Sequence, residues 1–102
     1  MKKHFQDILD IEDVRGVLFL NFDGKVIFNE FLSQLPDKLE AINWLLFIHT
    51  LNGVQEAELV FENSRCYIRR TETGYIFVVM GEAALIEMVR FNCDILLPVF
   101  EH

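Results

Sequence analysis

Basic residues are scarce in this chain, cysteine, proline and glycine are few, and no long apolar run occurs. Nine Lys and Arg stand against sixteen Asp and Glu, a formal net charge of −7. Such a balance repels phosphate backbones and anionic lipid, so nucleic acid is excluded as a partner class. The longest unbroken apolar run, Tyr75–Met80, is far short of the ~20 residues that cross a bilayer. The start, Met1-Lys2-Lys3-His4-Phe5, lacks the apolar stretch of a signal peptide. The expectation is a cytoplasmic protein with no membrane insertion. Only Cys66 and Cys93 are available for sulfur chemistry. They are too far apart for a local metal clip and have apolar neighbours, which predicts reduced, buried thiols and no disulfide framework. Two prolines, five glycines and the lack of repeats or low-complexity tracts leave no linker, and residues 1–102 are expected to form one domain. The closing Glu101-His102 is assigned no role.

What is abundant is apolar surface. Hydrophobic residues make up 52% of the chain, with ten Phe against two Tyr and one Trp. That is more than one core of this size hides, so part of it is expected in a subunit interface.

Phe5, Ile8 and Leu9 recur at helical spacing in a first segment, about Lys2 to Asp10. Val17-Leu18-Phe19-Leu20 is apolar on both parities, as in a strand covered on both faces, and Asp23-Gly24 signals a hairpin into a second strand, Lys25–Phe31. Pro36 suits the first turn of a helix, Asp37 and Glu40 complement its dipole, and Asn52-Gly53 stops it after Leu51. Glu56–Glu62, Cys66–Thr71 and Tyr75–Met80 then follow at hairpin spacing. Gly81 ends the sheet, and Leu85, Val89, Cys93 and Leu96 mark a last helix that Pro98 is expected to end. The predicted order is α-β-β-α-β-β-β-α. Too few helices are present to connect parallel strands, which leaves an α+β fold: a five-stranded antiparallel sheet, the two all-apolar strands central, with helices on both faces.

The middle helix carries two apolar stripes. Leu39, Ile42, Leu45, Leu46 and His49 gather on one side, and Ala41, Trp44, Phe47, Ile48 and Leu51 on the other. The first stripe, His49 included, is read as packed on the chain's own sheet. The second needs another cover and is read as a dimer interface.

The element order, Asp13-Val14-Arg15-Gly16-Val17 leading into the first strand, Asp23-Gly24 in the first hairpin and the Glu-rich third strand after Gly53 together resemble the roadblock light-chain family. The resemblance spans nearly the whole chain. It implies a profilin-like sandwich that dimerises by pairing the middle helix and the third strand with their copies, which places Glu58 and Val60 in the interface beside Ala41, Trp44, Phe47, Ile48 and Leu51. It further implies a non-catalytic scaffold that binds a small Ras-like GTPase or serves as an adaptor on motor complexes. Bacterial and archaeal members of the family include proteins that stimulate a polarity GTPase. The bulky, aromatic middle helix departs from the Ala- and Leu-rich pattern of many members and bears on the choice of partner.

The residues themselves offer little chemistry. No second His or carboxylate stands at metal-ligand spacing from His49, no nucleophile setting is recognisable, and no glycine-rich phosphate loop precedes a helix. No enzyme, cofactor or metal is expected. Glu12, Asp13 and Asp23 are explained by turn and cap duties. Arg65, Arg69 and Arg70 form the one basic cluster, with Arg65, Tyr67 and Arg69 on one strand face. They either grip an acidic partner or pair across the sheet with Glu58 or Glu62, and the second reading is the stronger. Two other functions remain open: a small-molecule sensor of the PAS type, which would need more helices between Ser33 and Gln55 and a ligand cavity, and a purely structural subunit.

Overall fold

A computed structural model describes residues 2–32, 43–61 and 63–100. Helix α1 (Lys2–Leu9) is followed by strands β1 (Val14–Asn21) and β2 (Val26–Phe31), helix α2 (Trp44–Thr50), strands β3 (Glu56–Val60), β4 (Arg65–Arg70) and β5 (Gly74–Met80), and helix α3 (Ile86–Phe100). The strands form one antiparallel sheet in the order β2-β1-β5-β4-β3. The two strands apolar on both parities, β1 and β5, lie side by side in the interior of the sheet, and every residue of β5 is buried.

Strand alternation sends successive residues to opposite faces, so the sheet divides the core in two. On one face α1 and α3 lay Phe5, Ile8, Val89 and Cys93 over Val17 and Val78, and Phe5 stacks on Phe28 with ring centroids 4.7 Å apart. On the other face α2 lays Ile48 and Leu51 over Leu20, Ile68 and Phe77. The sheet thus separates Cys66, on the α2 side, from Cys93, on the α3 side. Both are free and buried, and burial pushes each thiol up to about 12. Neither should react with a thiol reagent at pH 8 in the native protein, because the thiolate is the nucleophile. Both should react once urea unfolds the chain. Rapid native labelling of either thiol would contradict this packing.

Two irregularities bend the ladders. Between β1 and β2 the register passes from Phe19↔Phe28 to Leu20↔Val26, leaving Ile27 as an extra residue. Between β1 and β5 it passes from Val14↔Met80 to Gly16↔Val79, leaving Arg15 as another. A bulge re-aims the side chain of its extra residue. Arg15 here donates to the Asn63 carbonyl at 3.1 Å and to Ser64 Oγ at 3.2 Å, tying the β3–β4 turn to the start of β1.

Two helix boundaries differ from expectation. A single helix from Pro36 to Leu51 is not formed, because Asn43 is extended and its side chain caps a new helix by accepting from Leu46 N at 3.2 Å. Pro36, Asp37, Leu39, Glu40 and Ile42 lie outside the described residues, as do Glu62 and Glu101-His102. Pro98 does not end α3 but sits in its last turn. There it removes only the bond to the Asp94 carbonyl, and Asp94 is exposed to water that can replace the donor.

Candidate interaction surface

Strand β3 pairs with β4 alone, so one of its long sides is open among the described residues. Antiparallel pairing uses the backbone of alternate residues. Phe61 N donates to Ser64 O at 2.7 Å and Arg70 N to Gln55 O at 2.8 Å, which directs the odd-numbered residues of this segment toward β4. The N–H and C=O groups of Glu56, Glu58 and Val60 therefore face outward. Their side chains lie on the α1/α3 face of the sheet, while Ala57, Leu59 and Phe61 join the cluster beneath α2. Glu58 is exposed and Val60 is 72% exposed, a large apolar side chain at an unpaired edge.

Helix α2 turns the opposite way from the sequence expectation. Ile48 (5% exposed) and Leu51 (7%) pack on the chain's own sheet, with half-buried Phe47 beside Phe77 at 6.0 Å. Of the stripe expected inside, the two residues whose side chains are described face out: Leu46 is 65% exposed, and His49 is exposed rather than a core imidazole. Both stripes are apolar, so periodicity alone did not decide which side met the sheet. Ile48 and Leu51 are consequently core residues, and a carboxylate placed at Ile48 would disrupt the fold rather than report on an interface. Ala41 lies outside the described residues, as do the side chains of Trp44 and Leu45. Of the expected interface set, Glu58, Val60 and part of Phe47 present surface, and Leu46 joins them.

Arg65 and Arg69 of the arginine cluster are engaged within the chain. Arg65, Tyr67 and Arg69 do share a face, but Tyr67 is buried and donates its O–H to Glu56 Oε2 at 2.6 Å. Burial, and then this carboxylate, push the Tyr67 phenol up to about 12. Arg69 donates to Tyr67 Oη at 2.9 Å and pairs with Asp94 of α3, while Arg90 of α3 donates to Glu56 Oε2 at 3.2 Å. Arg65 pairs with Glu58 at 3.4 Å and donates to the carbonyls of Gly81 and Ala84. Arg65, Tyr67 and Arg69 thus make the cross-strand and strand–helix pairs of the second reading.

Glu56 joins the edge strand to α3, and its ionisation should be visible in stability. The hydrogen bond from Tyr67 holds its carboxyl below the usual range; burial opposes this, and Arg90 and Arg69 reinforce it. A depressed folded-state value means the contribution is present above the unfolded value and is lost as pH falls through the folded one. The Glu56→Gln protein should thus be less stable than the parent at pH 7, with the gap closing as pH falls below ~4.3. Urea midpoints at pH 7, 4 and 2.5 measure it; a gap that does not change with pH would contradict the assignment.

Among the described residues no cluster of three or more His, Cys, Asp or Glu could hold a metal ion. No helix of the described residues is long and apolar enough to cross a membrane. Asp13 takes a positive φ of 63°, and its carboxylate accepts from Ala83 N at 3.0 Å, fixing the β5–α3 loop. That is a turn duty, as read from the sequence.

No protein-family profile and no curated protein matches the chain. Solved structures do. An MglB in a tetrameric arrangement superposes with a TM-score of 0.71 at 16% identity, covering 98% of this chain and 81% of that one. The gliding protein MglB of Thermus thermophilus gives 0.72 at 14%, covering 98% and 82%. A Roadblock/LC7 domain from Streptomyces avermitilis gives 0.71 at 14%, covering 97% and 89%. The chain has the roadblock fold. In this roadblock fold the open β3 edge and the outward side of α2 are among the surfaces without an internal cover in the described residues.

Proposed function

We propose that this chain is a non-catalytic binding module that pairs with a second copy through β3 and α2 and presents the joined surface to a small Ras-like GTPase. The observation that carries the reading is the open β3 edge, with the backbone groups of Glu56, Glu58 and Val60 turned outward and Val60 exposed beside them. An edge of this kind pairs readily with another strand, and a two-fold axis lets the same strand of a second copy supply it. The roadblock fold supports self-association, since one solved neighbour is a tetrameric MglB. The GTPase rests on the family resemblance.

Sedimentation equilibrium at micromolar concentration should show a dimer. Val60→Pro should shift it to monomer without unfolding it, because the N–H that proline removes points away from β4 and the intramolecular ladder is kept. Leu46→Glu should act in the same direction. A parent protein that sediments as a monomer would overturn the pairing. With a cognate GTPase, stimulation of hydrolysis should vanish in Val60→Pro. Single alanine substitutions of the arginines should each reduce it by much less than the ~10³-fold expected of a lost arginine finger, since Arg15, Arg65, Arg69 and Arg90 are held by internal hydrogen bonds and ion pairs and Arg70 ends a strand.

A further inference from the structure

Arg70 differs from every other arginine of the chain. Arg15 donates to Asn63 and Ser64, Arg65 to Gly81, Ala84 and Glu58, Arg69 to Tyr67 and Asp94, and Arg90 to Glu56. Arg70 has no carboxylate or carbonyl partner among the described residues. Its guanidinium carbon stands 4.9 Å from the centroid of the Phe22 ring, and it is half-buried at the last position of β4. Among the described residues this guanidinium, partly withdrawn from water, thus has no anionic partner, where a cation ordinarily acquires an anionic or hydrogen-bonding one.

The surroundings form a receptacle. Phe22, Ile48, His49, Asn52, Arg70 and Tyr75 line an open depression of about 470 Å³ at the end of the sheet that carries the first hairpin. Phe22 meets Tyr75 edge-to-face at 5.6 Å, which gives the depression an aromatic floor. His49 and Asn52 are exposed at its rim and add donors to those of Arg70. Four carbonyls at the end of α2 accept local backbone bonds: Leu51 N donates to Phe47 O and Ile48 O, Asn52 N to His49 O, and Val54 N to Leu51 O. The depression also adjoins the open edge, because Arg70 N donates to the Gln55 carbonyl just before β3.

We propose that this depression is a carboxylate-binding site that receives an acidic side chain or a chain-terminal carboxylate of a protein partner, with an apolar neighbour of that carboxylate resting on Phe22 and Tyr75. A planar guanidinium pairs with a carboxylate through parallel hydrogen bonds, and the aromatic ring beneath it restricts its motion beforehand. One cation in a chain of net charge −7 suits a monoanion and not a phosphate dianion, which calls for more positive charge or a helix N-terminus. The proposal deepens the reading of the chain as a partner-binding module and rests on it for the source of the carboxylate.

The test is a nuclear magnetic resonance titration of the full chain with N-acetyl-Phe-Glu-amide. Saturable shifts are expected at Arg70 Nε and at the amides of Phe22, His49 and Tyr75. N-acetyl-Phe-Gly with a free carboxylate, run in parallel, separates a chain terminus from a side chain as the source, and the tighter of the two identifies it. Arg70→Gln should weaken binding by about tenfold or more, the loss expected of a charge-assisted hydrogen bond, and Phe22→Leu should weaken it less. Equal binding of N-acetyl-Phe-Gln-amide, tighter binding of inorganic phosphate, or unchanged binding by Arg70→Gln would each overturn the site. Dissociation of a parent dimer by Arg70→Gln would also overturn it, since the carboxylate would then come from the second copy. A monomeric parent that binds the probe refutes the pairing and keeps the site; a dimer that ignores the probe does the reverse.

Discussion

Replacing Gly74 with alanine should cost about 3 kcal/mol or more of folding stability, because a side chain there has nowhere to go. A Cβ on Gly74 would lie 1.9 Å from the Leu20 carbonyl oxygen and 2.8 Å from Asn21 Cα. These are backbone atoms of β1, the strand against which β5 pairs Gly74↔Asn21, and they cannot swing aside as a side chain can. Relief would require the two interior strands to separate where both faces are packed. For a domain of this length ~3 kcal/mol is a lowering of the melting temperature by more than ten degrees and a large share of a typical total. Gly53→Ala is the internal control. Gly53 has a φ of +81° but nothing within 4 Å of its Cβ position, so its cost is the ~1–2 kcal/mol of a left-handed backbone alone. Urea denaturation of both proteins decides it, and a Gly74→Ala protein within ~0.5 kcal/mol of the parent would show that β1 and β5 are not so closely apposed.

Arg65→Met should cost ~2–4 kcal/mol, since it removes a donor and leaves carbonyls behind that depend on it. The Arg65 guanidinium donates to Gly81 O at 2.9 Å and to Ala84 O. It is 20% exposed, and methionine would keep much of its apolar stem in place. The Gly81 and Ala84 carbonyls belong to the loop that launches α3, so amide exchange in the first turn, Ile86–Val89, should quicken along with the loss of global stability. The lost pairing with exposed Glu58 adds little. Arg65→Lys should recover only part of the stability, because an ammonium cannot span two carbonyls as a planar fork does. If Arg65→Met left stability intact and abolished partner binding, Arg65 would be a grip for a partner after all.

The strands and hairpins were legible because their signals are local. Asp23-Gly24 marked a turn where Gly24 takes a φ of 83°, and the doubly apolar runs at β1 and β5 marked the sheet interior. Strand alternation also placed Arg65, Tyr67 and Arg69 together correctly. What failed depended on tertiary choice. With two apolar stripes on α2, periodicity could not say which one the sheet would take, although the imidazole of His49 in one of them favoured that stripe as the outer one. Asn43 carried a cap signal that the longer apolar pattern overrode. The bulges at Arg15 and Ile27 depend on how neighbouring strands register and leave no mark in one strand's sequence. Arg70 was legible as part of a basic cluster but not as the member without an ion-pair partner among the described residues, since pairing is decided by strands and helices far apart in sequence.

The extra residue in β2 bears on how large an assembly of these chains can grow. Among the described residues the sheet ends in two strands with an open side, β3 and β2, and a subunit with two equally adhesive ends would polymerise into a filament. Strand β2 is a poor end for growth: Ile27 throws its register out of step with β1, which bends the strand, and Lys25 and Glu30 set charges at its start and near its close. Strand β3 has no such break in its pairing with β4. In the proposed pairing through β3 the smoother edge of each subunit would be consumed and β2 would act as a chain terminator, so an irregularity in the strand farthest from that junction would hold the assembly at two.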